Sequence, residues 1–160
     1  MAGRYSGGIA NGVRHGKGVV YSGKNCELHG EWNNGKLIYG QGSLEYKISN
    51  GVLVRDVGTF VDNYIKCGQR LILNGDQAGD VWEGAFVNGA LNGLCKYRHK
   101  TGSRNEIECV NGAFHGIERV YNNFGTLVYT TRWQNGKEIG PREKSIGWKM
   151  WESIQKWGNK

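Results

Sequence analysis

The chain has 160 residues, enough for one domain of ordinary size, and it carries 27 glycines but only one proline, Pro141. This composition excludes a collagen-like chain and argues against a flexible linker. It favours a β structure with many tight turns, where glycine supplies positive φ. The net charge of +7 permits an acidic partner, although it also serves solubility.

The cysteines and the amino terminus bear on the compartment. The cysteine spacings form no CxxC ligand set and suggest no disulfide framework, so we expect reduced thiols in an intracellular setting. The amino terminus as given shows no apolar region, and no stretch approaches the roughly 18 apolar residues of a membrane span. We therefore expect a protein that is neither secreted by a standard signal nor integral to a membrane. The four cysteines are Cys26, Cys67, Cys95 and Cys109.

A short motif returns along the chain at steps of 23, 28, 26, 23 and 24 residues, which predicts a repeat array of six units. Its most regular part is an Asn-Gly pair, which favours a two-residue turn because both residues tolerate positive φ. The pair occupies 11–12, 34–35, 88–89, 111–112 and 135–136, and Asp62-Asn63 takes its place in the third unit.

Two further positions repeat in register with the turn. Two residues before it stands a slot for packing, filled by Ile9, Trp32, Phe60, Phe86, Cys109 and Trp133. Two residues earlier stands glycine in four units, at Gly7, Gly30, Gly58 and Gly84. We expect these glycines to leave room for aromatic side chains of the neighbouring unit.

Alternation with period two before each turn indicates a β-strand, so each unit is predicted to be a β-hairpin. One hairpin is marginal alone, and successive hairpins must therefore pair edge to edge. We predict an all-β protein: an elongated, twisted antiparallel sheet of about twelve strands in a single layer, spanning residues 1–143. Longer exposed loops are expected at 74–80 and 98–105.

The units resemble MORN repeats, which carry Tyr-x-Gly-x-Trp/Phe-x-Asn-Gly, then His-Gly-x-Gly and an aromatic residue. The first unit, Tyr5 to Gly18, matches except for Ile9, and the second and fourth units also match. The third unit departs, with Arg70 in place of the second glycine, and the fifth and sixth follow a looser variant.

The resemblance covers about residues 5 to 141, and it implies an interaction or assembly module. MORN arrays occur in cytoskeletal, ciliary and junctional proteins and beside some enzymes and lipid-handling proteins. The degenerate units are similar to arrays abundant in large DNA viruses of protists, which makes a virion component one expectation.

Residues 144–160 change pattern. Ile146, Met150, Ile154 and Trp157 form one helical stripe, with Ser145 as a candidate N-cap. The short amphipathic α-helix either covers the open end of the array or docks a partner or a membrane surface. Its candidate partner contacts are Trp148, Lys149, Trp151 and Trp157.

A basic run after Cys95 is the most strongly charged feature, and it either binds phosphates or forms a solvated loop. Its candidate anion contacts are Lys96, Arg98, Lys100 and Arg104. No His, Cys, Asp or Glu set has metal-ligand spacing, and no phosphate loop or nucleophile motif occurs. We therefore expect no metal, no cofactor and no catalytic residue.

The sequence thus predicts an intracellular, non-enzymatic scaffold that contacts other proteins in a larger assembly, cytoskeletal or virion. Self-association through open sheet edges is a further expectation. The alternatives are a binder of anionic, phosphoinositide-containing membranes and, third, a nucleic-acid-associated protein. The positions that the units share are explained by packing and turn formation. We therefore expect function where the units differ, in the basic run, the irregular third unit and the carboxyl-terminal helix.

Overall fold

A computed structural model of the protein describes residues 3–48, 50–146 and 149. Within this part of the chain, thirteen strands form one antiparallel sheet, which confirms the predicted all-β array of hairpins. Strands β1 to β12 lie side by side in chain order, and β13 pairs with β11. The strands are β1 Arg4–Ala10, β2 Val13–Ser22, β3 Cys26–Asn33, β4 Lys36–Lys47, β5 Leu53–Val61, β6 Tyr64–Ile72, β7 Val81–Val87, β8 Ala90–Arg98, β9 Arg104–Val110, β10 Ala113–Tyr121, β11 Leu127–Gln134, β12 Lys137–Glu138 and β13 Glu143–Lys144.

The hairpins turn at the predicted places. Asn34 has φ 48° and Gly35 φ 81°, the paired positive values of a type I′ turn, which matches the right-handed twist of the flanking strands. Asp62 and Asn63 adopt the same conformation, with φ 52° and 72°. The irregular third unit therefore keeps the regular turn because aspartate and asparagine also tolerate this region.

One face of the sheet, called the inner face below, carries the core. The packing residue before each turn pairs across the hairpin with a residue just after the turn. Trp32 stands opposite Leu37, and Phe60 stands opposite Ile65. Trp32, Phe60 and Phe86 are buried, and Trp133 is half-buried. Among the described residues the cover of these side chains comes from other side chains of the same sheet, which favours a sheet that curves around them.

Bulges and glycines occur where such bending is expected. Register shifts recur near the turns, as at Glu31/Trp32 and Thr59/Phe60, and bulges bend and twist a sheet. Glycines face one another across neighbouring strands in two rows, Gly7, Gly18, Gly30 and Gly40, and then Gly42, Gly58, Gly68 and Gly84.

The expectation that the glycines leave room for aromatic side chains holds for some of them only. A Cβ at Gly18 would overlap the ring of Tyr5, which is the aromatic cover that the sequence suggests. A Cβ at Gly58 would instead overlap the backbone carbonyl of Cys67 on the next strand, and Gly58 has φ 153°. Close approach of two backbones is therefore the stronger reason for glycine in the second row.

The two predicted loops differ in outcome. Residues 73–80 do connect β6 to β7, but the expected loop at 98–105 is a short turn. Strand β8 continues to Arg98 and β9 begins at Arg104, directly opposite it. The turn between them is closed by His99 N–H donating to the Ser103 carbonyl at 2.9 Å. Charged residues there extend the strands, since alternate positions of an exposed strand can face water.

The chain folds back over its last long strand. Strands β12 and β13 both pair with β11, and Ser145 N–H donates to the carbonyl of Val128 at 2.9 Å. The hydroxyl of Ser145, the candidate N-cap, donates to the carbonyl of Leu127. The carboxyl-terminal edge of the array is therefore covered by residues 137–145.

Gly58→Ala tests the close approach in the glycine rows. We expect it to lower the free energy of unfolding by about 2 kcal/mol or more, because the methyl group collides with backbone and the φ is strained. Urea denaturation measures the loss. Gly75→Asn is the control: Gly75 has φ 77° with nothing within 4 Å, and asparagine tolerates this region. Equal stability of the two variants would contradict the proposed role of Gly58.

Candidate functional site

A buried ion pair occupies the inner face in the third unit. Asp56 on β5 is 0% exposed and stands directly opposite Arg70 on β6. Arg70 Nε donates to Asp56 Oδ1 at 2.8 Å, and Arg70 Nη2 donates to Oδ2 at 2.8 Å. This two-pronged contact holds the guanidinium group in one orientation.

Further contacts tie Arg70 to the neighbouring units. The hydroxyl of Tyr46, on β4, donates to Asp56 Oδ2 and accepts from Arg70 Nη2 at 2.8 Å. Arg70 Nη1 donates to the carbonyl of Gly89 in the fourth unit at 3.1 Å, and the guanidinium carbon lies 5.1 Å from the centre of the Phe86 ring. One side chain thus joins the second, third and fourth hairpins.

The electrostatics keep Tyr46 neutral and Arg70 charged. Burial, and then the negative charge of Asp56, raise the pKa of the Tyr46 hydroxyl, so it stays a hydrogen-bond donor. Burial alone would lower the pKa of Arg70, but its hydrogen bonds to Asp56 and the charge of that carboxylate outweigh burial and raise it. The network is a fixed support in which both carboxylate oxygens are engaged.

A groove of about 860 Å³ lies over this support. Four aromatic side chains line it, Tyr46, Tyr64, Trp82 and Phe114, together with the guanidinium-bearing Arg70. Asn50, Gln77 and Asn88 add amide groups that can both donate and accept hydrogen bonds. The arrangement can receive an apolar group and hydrogen-bond a polar backbone beside it.

A second buried carboxylate anchors the loop next to the groove. Asp80 Oδ1 accepts the backbone N–H of Lys100 at 2.8 Å, and Asp80 Oδ2 accepts the Tyr97 hydroxyl. The ring of Tyr97 stacks on Trp82, with centroids 4.1 Å apart. Burial opposes ionisation of Asp80, but these hydrogen bonds and the charges of His99 and Lys100 lower its pKa.

The candidate anion contacts are only partly brought together. Lys96 and Arg98 alternate along β8 with the buried Cys95 and Tyr97, so they lie on the outer face. Lys96 stands opposite a glutamate on each side, Glu83 on β7 and Glu106 on β9. The outer face there is therefore of mixed charge.

The other basic residues of this region have partners of their own. Arg98 approaches Glu83 at 4.0 Å. Arg104 lies 3.9 Å from Glu106, and its guanidinium carbon lies 4.2 Å from the centre of the Tyr121 ring. Lys100 Nζ donates to the backbone carbonyl of Asp76 at 2.9 Å, which directs its charge toward the 73–80 loop.

The predicted carboxyl-terminal contacts fall at the limit of the described residues. Ile146 and Lys149 are helical, and Lys149 N–H donates to the carbonyl of Ser145 at 3.0 Å. The exposed Lys149 is the one candidate contact of this segment that is described. Trp148, Trp151 and Trp157 lie outside the described residues.

Sequence reasoning named the third unit as irregular but did not find the Arg70 network. The available signal was Arg70 itself, which stands where the repeat has glycine. A cation that replaces glycine on an inward-facing position needs a buried counter-charge, and Asp56 is the nearest inward-facing acid across the hairpin.

Among the described residues, no group of three His, Cys, Asp or Glu side chains could hold a metal ion. Within the same part of the chain, no helix has the length and apolar character needed to cross a membrane. No family model and no curated protein matches this chain.

Asp56→Asn tests the support of the groove. We expect a loss of about 3 kcal/mol of unfolding free energy, because Arg70 keeps its charge in a buried position without a counter-ion. Asp62→Asn is the matched control: Asp62 pairs with Lys36 at 2.9 Å, but their side chains are 60% and 54% exposed. That control should change stability by less than about 0.5 kcal/mol. Similar losses in both variants, measured by urea denaturation, would contradict a special role for Asp56.

Asp80 predicts a pH dependence of stability. Its folded pKa lies below the ordinary value of 3.8, so the unfolded chain binds the proton more readily and stability falls as pH drops through this range. Urea denaturation between about pH 6 and pH 3 should show a steeper fall for the wild type than for Asp80→Asn. Asp76→Asn removes a carboxylate at an exposed neighbouring position and is the matched control. Parallel slopes for the wild type and Asp80→Asn would count against this assignment.

Proposed function

We propose that this protein is a non-catalytic scaffold of the MORN-repeat type that binds an extended segment of a protein partner in the inner-face groove. The observation that carries the proposal is the aromatic groove built over the Arg70 network. Tyr, Trp and Arg are the residues in which binding energy concentrates at protein interfaces, and all three line this groove.

The groove suits a peptide segment with one or more large apolar side chains. Its volume of about 860 Å³ exceeds what one side chain fills. The amides of Asn50, Gln77 and Asn88 can bond the backbone polar groups of an extended chain, which must be satisfied when they leave water. Because Asp56 and Tyr46 hold Arg70 in place, the Arg70 side chain needs no further ordering on binding.

Around the basic run after Cys95, the charge arrangement favours a protein partner over the two anionic alternatives. A membrane or nucleic-acid surface needs a continuous field of one sign. Around Lys96, glutamates alternate with the basic side chains across the strands. We propose an intracellular assembly as the place where the scaffold acts, either a cytoskeletal assembly or a virion of a large DNA virus.

The groove can be tested with peptides selected from a random library on the full-length protein. We expect selected peptides to carry aromatic or large aliphatic residues. Tyr64→Ala should weaken their binding about tenfold, because Tyr64 lines the groove and is 52% exposed. Fluorescence anisotropy measures the affinity.

Tyr39→Ala is the matched control. Tyr39 is 48% exposed and lies away from the groove, beside His29 and Glu31. Its replacement should leave the affinity within about twofold. Selected peptides that lose binding equally in both variants, or in neither, would contradict the groove as the binding site.

A further inference from the structure

The two ends of the sheet differ. At the carboxyl-terminal end, β12 and β13 cover β11. At the other end, β1 pairs only with β2 among the described strands, so its second row of backbone N–H and C=O groups faces outward. From Arg4 to Gly7 the strand pairs residue for residue with β2, and a bulge follows between Gly7 and Ile9. The regular part of this edge can accept another strand.

The packing slot at this end is uncovered. Ile9 is 60% exposed, whereas its counterparts Trp32, Phe60 and Phe86 are 2%, 2% and 1% exposed. Trp32 is covered in part by Tyr5 of the preceding unit, whose ring centre lies 5.2 Å away. Ile9 has no such neighbour among the described residues, and an added strand would cover apolar surface there.

The charge of the chain is concentrated at the same end. Before the first acidic residue, Glu27, the sequence carries the basic residues Arg4, Arg14, Lys17 and Lys24. From residue 27 to residue 146 the basic and acidic side chains nearly balance, at 14 and 13. None of the four amino-terminal cations forms a salt bridge within the described part of the chain.

Two of these cations are held beside the edge. The guanidinium carbon of Arg4 lies 4.7 Å from the centre of the Tyr21 ring, and that of Arg14 lies 5.0 Å from the centre of the Tyr5 ring. Such stacking orients the groups while leaving their charge unpaired. An incoming strand therefore meets a backbone edge flanked by fixed positive charge.

We propose that the β1 edge binds an extended acidic segment of a partner protein, which adds to the sheet as a strand beside Arg4–Gly7. Backbone hydrogen bonds supply affinity, and acidic side chains facing the basic hairpin supply selectivity. A second copy of this chain fits less well, because two basic edges would repel each other. None of the residues lining the inner-face groove comes from β1, so the two proposals can fail separately.

The test uses the full chain and a short synthetic peptide in which glutamate alternates with valine and threonine. Its counterpart with lysine in place of glutamate is the control. We expect the acidic peptide to bind and to slow hydrogen exchange at the amides of Arg4–Gly7. Both Arg4→Gln and Arg4→Glu should weaken binding, the second by about tenfold or more.

Lys137→Glu provides the matched charge reversal at the covered end, on β12, and should leave the affinity within about twofold. Circular dichroism and thermal unfolding establish that each variant folds. Failure of the acidic peptide to bind up to about 1 mM, equal binding of the lysine peptide, or protection elsewhere on the sheet would overturn the proposal.

Other occupants would show themselves in the same experiment. Protection of these amides on raising the protein concentration alone would assign the edge to a second copy. Protection by vesicles of anionic phospholipid or by duplex DNA, without protection by the peptide, would assign it to that surface. Each of these results would overturn the assignment of an acidic protein segment to the β1 edge.

Discussion

Within the described residues the sheet has no second layer and buries its core against itself, and the rest of the described structure depends on that constraint. The pairing of Trp32 with Leu37, and of Phe60 with Ile65, puts a large side chain opposite an aliphatic one in each of these hairpins. Bulges beside these pairs bend the strands, and glycine rows let the backbones approach closely enough for the inner face to close over its side chains. Because the units repeat, each hairpin contributes buried side chains of its own and also covers the buried side chains of its neighbours.

The same constraint explains why a departure from the repeat has large consequences. An inward-facing position in such a sheet is buried whether or not its residue is apolar, so Arg70 requires Asp56 and Tyr46 to satisfy it. A buried ion pair adds little net stability compared with an apolar pair, but its directed hydrogen bonds specify one arrangement. Here they join three successive hairpins beneath the aromatic groove and hold Arg70 in one orientation.

The two edges of the described sheet are the positions where a hairpin lacks a neighbouring unit. Residues 137–145 return over β11 and satisfy its outer polar groups, so growth or pairing is blocked on that side. Strand β1 has no such cover among the described strands, and the exposed Ile9 marks the uncovered slot. In a repeat protein the interior copies hold one another in place, and the two contacts proposed for this protein lie at an irregular unit and at an edge of the sheet.

The sequence by itself determined the hairpins, their number and their order, because the Asn-Gly pairs and Asp62-Asn63 favour positive φ through local sterics alone. The tertiary structure decided what depends on register between distant residues. It turned the expected 98–105 loop into two strands with a short turn, so that glutamates stand beside Lys96. It also brought Asp56 and Arg70 face to face, 14 residues apart in the chain. A bulge shifts the pairing register by one residue and so changes which face of the sheet each later side chain lies on. The repeat pattern along one strand does not show which residue of the neighbouring strand then stands opposite.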